Sequence, residues 1–564
     1  MRLLASIFLV LFAAAAPAHA QESAATTPPA ALVPADALLV VEASDLAGTV
    51  RALMAGEAFA RFRASSLWKD VQGQPQAAFA LAGLKVVENV AGADALSLLD
   101  AASGGGGAFA LLPGQVGGQP QTLAVLRALD PDLAQEAMQS LLGLAGDAVD
   151  LKGPAWRVPV GDAVLERRGS LFLLANVAEA LDRVAATPTA SIAGDRGYAR
   201  ARAATADAAV RIWVRGDLLR QSPDFRALPD EAGGSLLIAH AQQAVADADW
   251  AAGSIQLDAA GISVRAMVPA ADSLAKSHAP FVPEPHVVAM PSPKGLLARG
   301  VLARDMGPWW TSRDLFMSER GVAGTIEADG TSSLLFQRDF GPEVLHWLEP
   351  ELLFVVAELS DPPHLQAEFP AGAIGMRMRG GHPADLAQGI TGAFLAIVTF
   401  INFDDAQTGR ESLALDVDKL DDGTRIYFAR YREWDGDDGA PPRHNLSPAM
   451  AVRPDGEIWI ASADSLLREI LAAPAQDWEV AGDRFEVTLA PARGLLMRNQ
   501  EAIVGQRALQ AGGDLEAAQA WFAQIAAGLE LFDAGHLDLR LADGLLQFEA
   551  RIAAVAHRKD DAIR

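Results

Sequence analysis

Cysteine is missing altogether from this 564-residue chain. Its absence excludes disulfides, thiolate metal sites and a lipid-attachment cysteine, so an oxidising compartment is tolerated without being exploited and stability must come from packed core. Basic charge is scarce as well: 46 Lys and Arg stand against 71 Asp and Glu, a formal net charge of −25. A chain of that balance has no generalised positive field with which to hold a phosphate backbone or an anionic membrane surface, and nucleic acid is not an expected partner. Beyond the N-terminus no apolar run has the length of a bilayer span. The most apolar, Ile390 to Phe403, ends in Asn402, Asp404 and Asp405 and suits a buried core helix, so no transmembrane helix is expected there.

Catalytic signatures are wanting too. Gly-x-Ser-x-Gly and His-Glu-x-x-His do not occur, so neither a nucleophile elbow nor a helical zinc protease site is supported. Ser66-Leu-Trp-Lys69 and Ser273-Leu-Ala-Lys276 satisfy Ser-x-x-Lys, but the Ser-Asp-Asn and Lys-Thr-Gly partners of that motif are absent. The 10 histidines are scattered without ligand-like spacing. The Gly104 to Gly107 run leads into a strand, whereas a phosphate loop follows a strand and opens a helix. No cofactor is implied, and the reading leans away from an enzyme.

What is present begins with an address. Met1-Arg2, the apolar stretch from Leu3 to Ala16 and Ala18-His19-Ala20 form the n-region, h-region and small-x-small site of a secretory signal peptide over residues 1–20. A soluble periplasmic or secreted protein, cleaved near Ala20, is the expectation. Residues 21–34 read as a flexible Pro/Ala-rich leader, 269–293 as a Pro-rich linker and 557–564 as a tail.

The segments on either side of that linker echo each other, 35–268 against 294–556. Ala37-Leu-Leu-Val-Val-Glu-Ala-Ser-Asp45 matches Leu297-Ala-Arg-Gly-Val-Leu-Ala-Arg-Asp305, each an apolar run feeding a helix with Asp at its cap. Thr122 to Asp132 pairs with Ile374 to Asp385, and Gly169 to Asn176 with Gly456 to Asp464, each predicting a strand that enters a capped helix. Closing hairpins recur with turns at Gly261 and Gly544. Each copy predicts a strand, a long helical region, a hairpin, a helix, a three-strand meander, a helix, a strand, a helix and a hairpin. The expected fold class is therefore α+β, two tandem copies of a mostly antiparallel sheet with helices packed against it.

At Pro34-Ala-Asp-Ala-Leu-Leu-Val-Val-Glu-Ala-Ser-Asp45-Leu-Ala the chain resembles a family of exported bacterial proteins known only as a domain of unknown function. The resemblance implies a fold and an export address. It implies no reaction, since its motifs are structural.

Candidate sites concentrate in the second copy. Trp309, Trp310, Tyr427, Tyr431 and Trp434 form an aromatic set; on a strand from Arg425 to Arg432, alternation places Tyr427 and Tyr431 on one face and Arg430 and Arg432 on the other. Such a face suits a sugar, a peptide or an apolar ligand. Asp416, Asp418, Asp421 and Asp422 before Gly423, and Asp435, Asp437 and Asp438 before Gly439, offer hard oxygens of the kind calcium prefers, without the spacing or terminal Glu of an EF-hand. The leading expectation is a non-enzymatic, partner-binding envelope scaffold. A periplasmic carrier of a small apolar ligand and an enzyme with a site assembled from distant loops are the alternatives.

Overall fold

A computed structural model describes residues 28–554, apart from 75–84, 87, 90–91, 115–118, 145–150, 185–189, 207, 222–240, 242, 259–260, 271–284, 316, 360–368, 410–411, 432–445 and 511. The signal segment, most of the leader and linker, Ser273, Lys276, Trp434 and the acids at Asp435, Asp437 and Asp438 lie outside the described residues. Residues within 1–226, 245–269 and 549–564 cluster as one compact unit, and those within 227–244 and 270–548 as another.

Unit 1 opens on β1 (Leu39–Ala43), followed by helices α1 (Leu46–Ala55), α2 (Glu57–Ala64), α3 (Ser66–Gly73) and α4 (Ala95–Ser103). Asp45 caps α1 by accepting the Gly48 N–H at 2.7 Å, as its position before an apolar run predicts. Gly104, Gly105 and Gly106 carry the chain from α4 into β2 (Gly107–Leu112), and their N–H groups go to Asp100, Arg127 and Ser103 carbonyls. These donors are committed to backbone and cradle no phosphate. The unit continues through β3 (Gln121–Arg127), α5 (Pro131–Leu144), β4 (Ala155–Val160), β5 (Ala163–Arg168), β6 (Leu171–Ala175), α6 (Ala178–Asp182), α7 (Arg196–Ala204), β7 (Val210–Arg215), α8 (Gly216–Leu219), β8 (Trp250–Asp258) and β9 (Gly261–Pro269). Its strands pair antiparallel in the order β4-β5-β6-β3-β2-β1-β7-β8-β9.

Unit 2 contains β10 (His286–Pro291), β11 (Leu296–Leu302), α9 (Met306–Thr311), α10 (Glu319–Phe336), β12 (Leu348–Ala357), β13 (Ala371–Met378) and α11 (Leu386–Gln407). Next come β14 (Leu413–Lys419), β15 (Arg425–Tyr431), β16 (Ala449–Val452), β17 (Glu457–Ala461), α12 (Asp464–Ala472), β18 (Ala475–Val480) and β19 (Asp483–Thr488). The run ends with α13 (Leu489–Arg498), α14 (Gln500–Gln510), α15 (Leu515–Leu529) and β20 (Phe532–Ala542); β21 (Leu545–Ala554) follows, its residues from Glu549 onward belonging to unit 1. Its antiparallel order is β14-β15-β16-β17-β13-β12-β11-β19-β20, that of unit 1 from β4 to β8 with a fourth strand in the meander. β10 and β18 pair with each other as a two-stranded ribbon.

Large antiparallel sheets with packed helices make this an α+β protein. In unit 2 strand alternation separates two cores. Val301, Leu353, Val355, Ala373, Ile426, Phe428, Trp459 and Ala461 face α12 and the β10–β18 ribbon. Met378, Leu413, Ala429, Met450 and Ile458 point the other way, toward α9 and α11. The sheet is thus covered on both faces.

Five of the expected caps are corrected. Asp305 stands at the cap position of α9 but makes no cap bond, its carboxylate paired with Arg379 at 2.9 Å, and Asp464 lies inside the first turn of α12, paired with Arg468 at 2.8 Å. Asp132 lies inside the first turn of α5, where Asp130 accepts the Leu133 N–H instead, and Asp132 is paired with Arg167 at 3.0 Å. Asp385 stands at the α11 cap position but makes no cap bond, because Arg338 takes its carboxylate. Asn176 precedes α6 without capping it; its amide accepts from Thr122 N–H and donates to the Pro120 carbonyl. A salt bridge or a cross-loop bond outcompetes a local cap when a strong partner lies within reach.

Candidate binding surface

Four of the five aromatics singled out in the sequence do come together, inside the protein. Trp309 and Trp310 on α9 are 2% and 5% exposed and join the second core of unit 2, with Tyr427 and Tyr431 packed half-buried against it. Trp310 meets Phe340 edge-on at 5.2 Å and lies under the Arg313 guanidinium at 4.8 Å. Gly341 makes that fit possible, since a Cβ there would stand 2.5 Å from Trp310 Cδ1. The strand face read as open to a ligand is occupied by helices, and these four aromatics belong to the core.

Three of the acidic candidates are likewise engaged. Asp418 pairs with Arg468 at 2.5 Å, Asp416 accepts the Val417 N–H, and Asp422 accepts the Thr424 N–H at 2.8 Å. That last bond, with the Thr424 hydroxyl, holds the Asp422 carboxyl below the usual carboxylate range. Asp416 and Asp418 share a strand face whereas Asp421 and Asp422 sit in the following turn. Among the described residues no group of three His, Asp or Glu side chains is placed to hold a metal ion.

Other buried charges are structural pairs. Arg304 and Asp483, each 2% exposed, form a two-oxygen pair with Nε–Oδ2 at 3.0 Å, and the Ala303 N–H donates to the same carboxylate. Burial pushes the Asp483 carboxyl up, against the pull of Arg304. In unit 1 the Tyr198 hydroxyl donates to buried Glu42 at 2.9 Å, with Arg202 and Arg211 within 3.6 Å and 3.8 Å of that carboxylate. Burial, then the Glu42 charge, drives the Tyr198 phenol far above its ordinary range. Such a phenol keeps its proton near neutral pH.

The surface that stands out is α11, which sequence reasoning read as a core helix. It runs for 22 residues, longer than the apolar run that marks it, and is long and apolar enough to cross a membrane by length and composition. Leu386, Ile390, Ala393, Phe394 and Val398 are locked into the core, while Asn402 donates to the Leu413 carbonyl and accepts its N–H, and Asp405 accepts from the Tyr431 hydroxyl. These bonds fix the rotation of the helix. They leave Ile397, Phe400 and Phe403 outward, 47%, 60% and 64% exposed. Their spacing of three residues makes one stripe. Beside it packs α10, with Ile326 and Leu334 exposed at helical spacing. On β14, Leu415 and Val417 lie exposed on the face of buried Leu413, and among the described residues β14 pairs only with β15. A hydrophobic-moment argument misses such a stripe because α11 is apolar all round.

No family model matches the chain, and neither the curated proteins nor the solved structures contain a match to it.

Proposed function

We propose that this is an exported, non-enzymatic scaffold of the cell envelope, built from two copies of one α+β unit, that binds a protein partner through the outer face of α11. The observation that carries the reading is the row Ile397, Phe400 and Phe403, held outward by a helix whose opposite side cannot rotate away. Covering half-exposed side chains of this size contributes roughly 1 kcal/mol each, so the row supplies on the order of 3 kcal/mol to an interface. That suits a central hot spot ringed by weaker contacts. Export is supported by the signal-like residues 1–20, and the duplication by the shared strand order of the two units. The likeness of residues 34–47 to exported bacterial proteins belongs to the same reading.

Affinity capture from envelope extracts tests it. The chain from Gln21 onward should retain a reproducible protein, and the Phe400→Ser/Phe403→Ser variant, with unchanged circular dichroism, should lose it. Capture of nothing reproducible, or of the same protein by the variant, rejects the proposal.

A further inference from the structure

A different surface, in unit 1, reverses the charge character of the chain. Helices α2 and α3 carry Arg61, Arg63 and Lys69 against Glu57 and Asp70, three cations to two anions in a protein of net charge −25. Interleaved with them, Phe59, Phe62 and Trp68 form a triangle of rings with centroids 5.4 to 6.3 Å apart, Trp68 edge-on to both phenylalanines. All three rings are half-buried, and Met54 at the end of α1 is 43% exposed. Arg63 and Lys69 point into solvent, whereas Arg51 is held by Asp100. The packing leads outward from the sheet: α1 rests on α4 and β8, α2 on α1, and α3 on α2.

We propose that α2 and α3 dock on the surface of a bilayer containing anionic phospholipid. Phe and Trp rings settle at the boundary of headgroups and acyl chains, and Arg63 and Lys69 meet the lipid phosphates just above them. Aromatics interleaved with cations fit a surface that is apolar at one depth and anionic at another, which a bilayer is and a soluble anion is not. The stem of each cation covers ring surface while its head stays in water. Net negative charge does not prevent this. At physiological ionic strength the Debye length is about 8 Å, so carboxylates elsewhere on the protein are largely screened while the α2–α3 cations act at contact. The more apolar α11 offers no such chemistry, since no Lys or Arg occurs between Leu386 and Gln407.

Vesicle co-sedimentation of the chain from Gln21 onward decides the matter. The protein should sediment with vesicles of phosphatidylcholine mixed with phosphatidylglycerol, bind much less to phosphatidylcholine alone, and dissociate at high salt. Arg63→Gln/Lys69→Gln, two surface changes that leave the fold intact by circular dichroism, should weaken that binding on the order of tenfold or more. Phe59→Ser should weaken binding to the mixed vesicles while leaving its salt dependence in place, and Phe400→Ser/Phe403→Ser should bind vesicles as the parent does. Equal binding to both vesicle types, or parent-like binding by the charge variant, overturns the proposal. So does retention on immobilised polyglutamate without vesicle binding, which would assign the cations to an acidic protein.

Discussion

Glu166 on β5 is contacted by two guanidinium groups: Arg157 Nε at 2.8 Å and Arg168 Nε at 2.5 Å. Burial alone would push its carboxyl up, but hydrogen bonds from Arg168 and Arg157 outweigh it and hold the group below the usual carboxylate range. A depressed carboxylate stabilises the fold above its unfolded pKa and loses that contribution as pH falls through the folded one. Glu166→Gln is therefore expected to cost about 2 kcal/mol near neutral pH, with the gap to the parent closing below pH about 4. Urea titrations across that range check it, and a gap independent of pH would contradict the assignment. Asp483 shows the opposite balance, burial winning over Arg304. It lies one step beyond the last paired residues of β11 and β19. The buried Arg304–Asp483 pair was not legible from sequence, because its partners lie 179 positions apart and leave no local signature. The aromatic grouping was legible as a grouping. Its burial was not, since a Trp pair reads alike in a core and on a surface.

Among the elements, the strands of unit 2 hold a device that depends on glycine. Gly300 stands opposite Phe485 and Gly375 opposite Trp459 in the antiparallel register. A Cβ on Gly375 would come within 2.6 Å of the Trp459 ring, and one on Gly300 within 2.2 Å of Phe485. Each ring lies across the glycine backbone and covers the gap a side chain would fill. Because Trp459 is 2% exposed and has no room to retreat, Gly375→Ala is expected to destabilise by about 1–3 kcal/mol through overpacking. Guanidinium unfolding followed by tryptophan fluorescence measures this, and a neutral outcome would show that the indole relocates freely. Edge strands are guarded in both units: Pro159 removes a donor from β4, while Asp416, Asp418 and Lys419 put charge along β14. Element order was readable because hydrophobic period and turn residues are local properties, and the Asp543–Gly544 turn, with φ of 53° and 65°, is what an Asp-Gly pair between apolar runs predicts. The fourth meander strand escaped because Ala449–Val452 is short and lies just after a loop rich in Asp, Gly and Pro. For α11 the composition named a helix but could not say which side faced out.

For the whole molecule, the testable consequence of the N-terminus is processing. Expression in a bacterium with a working secretory pathway should yield a periplasmic form whose intact mass begins at Gln21, and Ala20→Leu should leave precursor uncleaved because the site requires a small residue. A mature chain that retains Met1 would reject the export reading. By itself the sequence determined the α+β class, since hydrophobic period and turn residues act within a few residues of chain. Only the tertiary structure decided that Trp309 and Trp310 are interior, that Asp385 serves Arg338 rather than its helix, and that α11 turns Ile397, Phe400 and Phe403 to solvent. The physical reason is common to all three. Burial and pairing are set by what a distant segment brings to the same place, and nothing local to a residue encodes what will cover it.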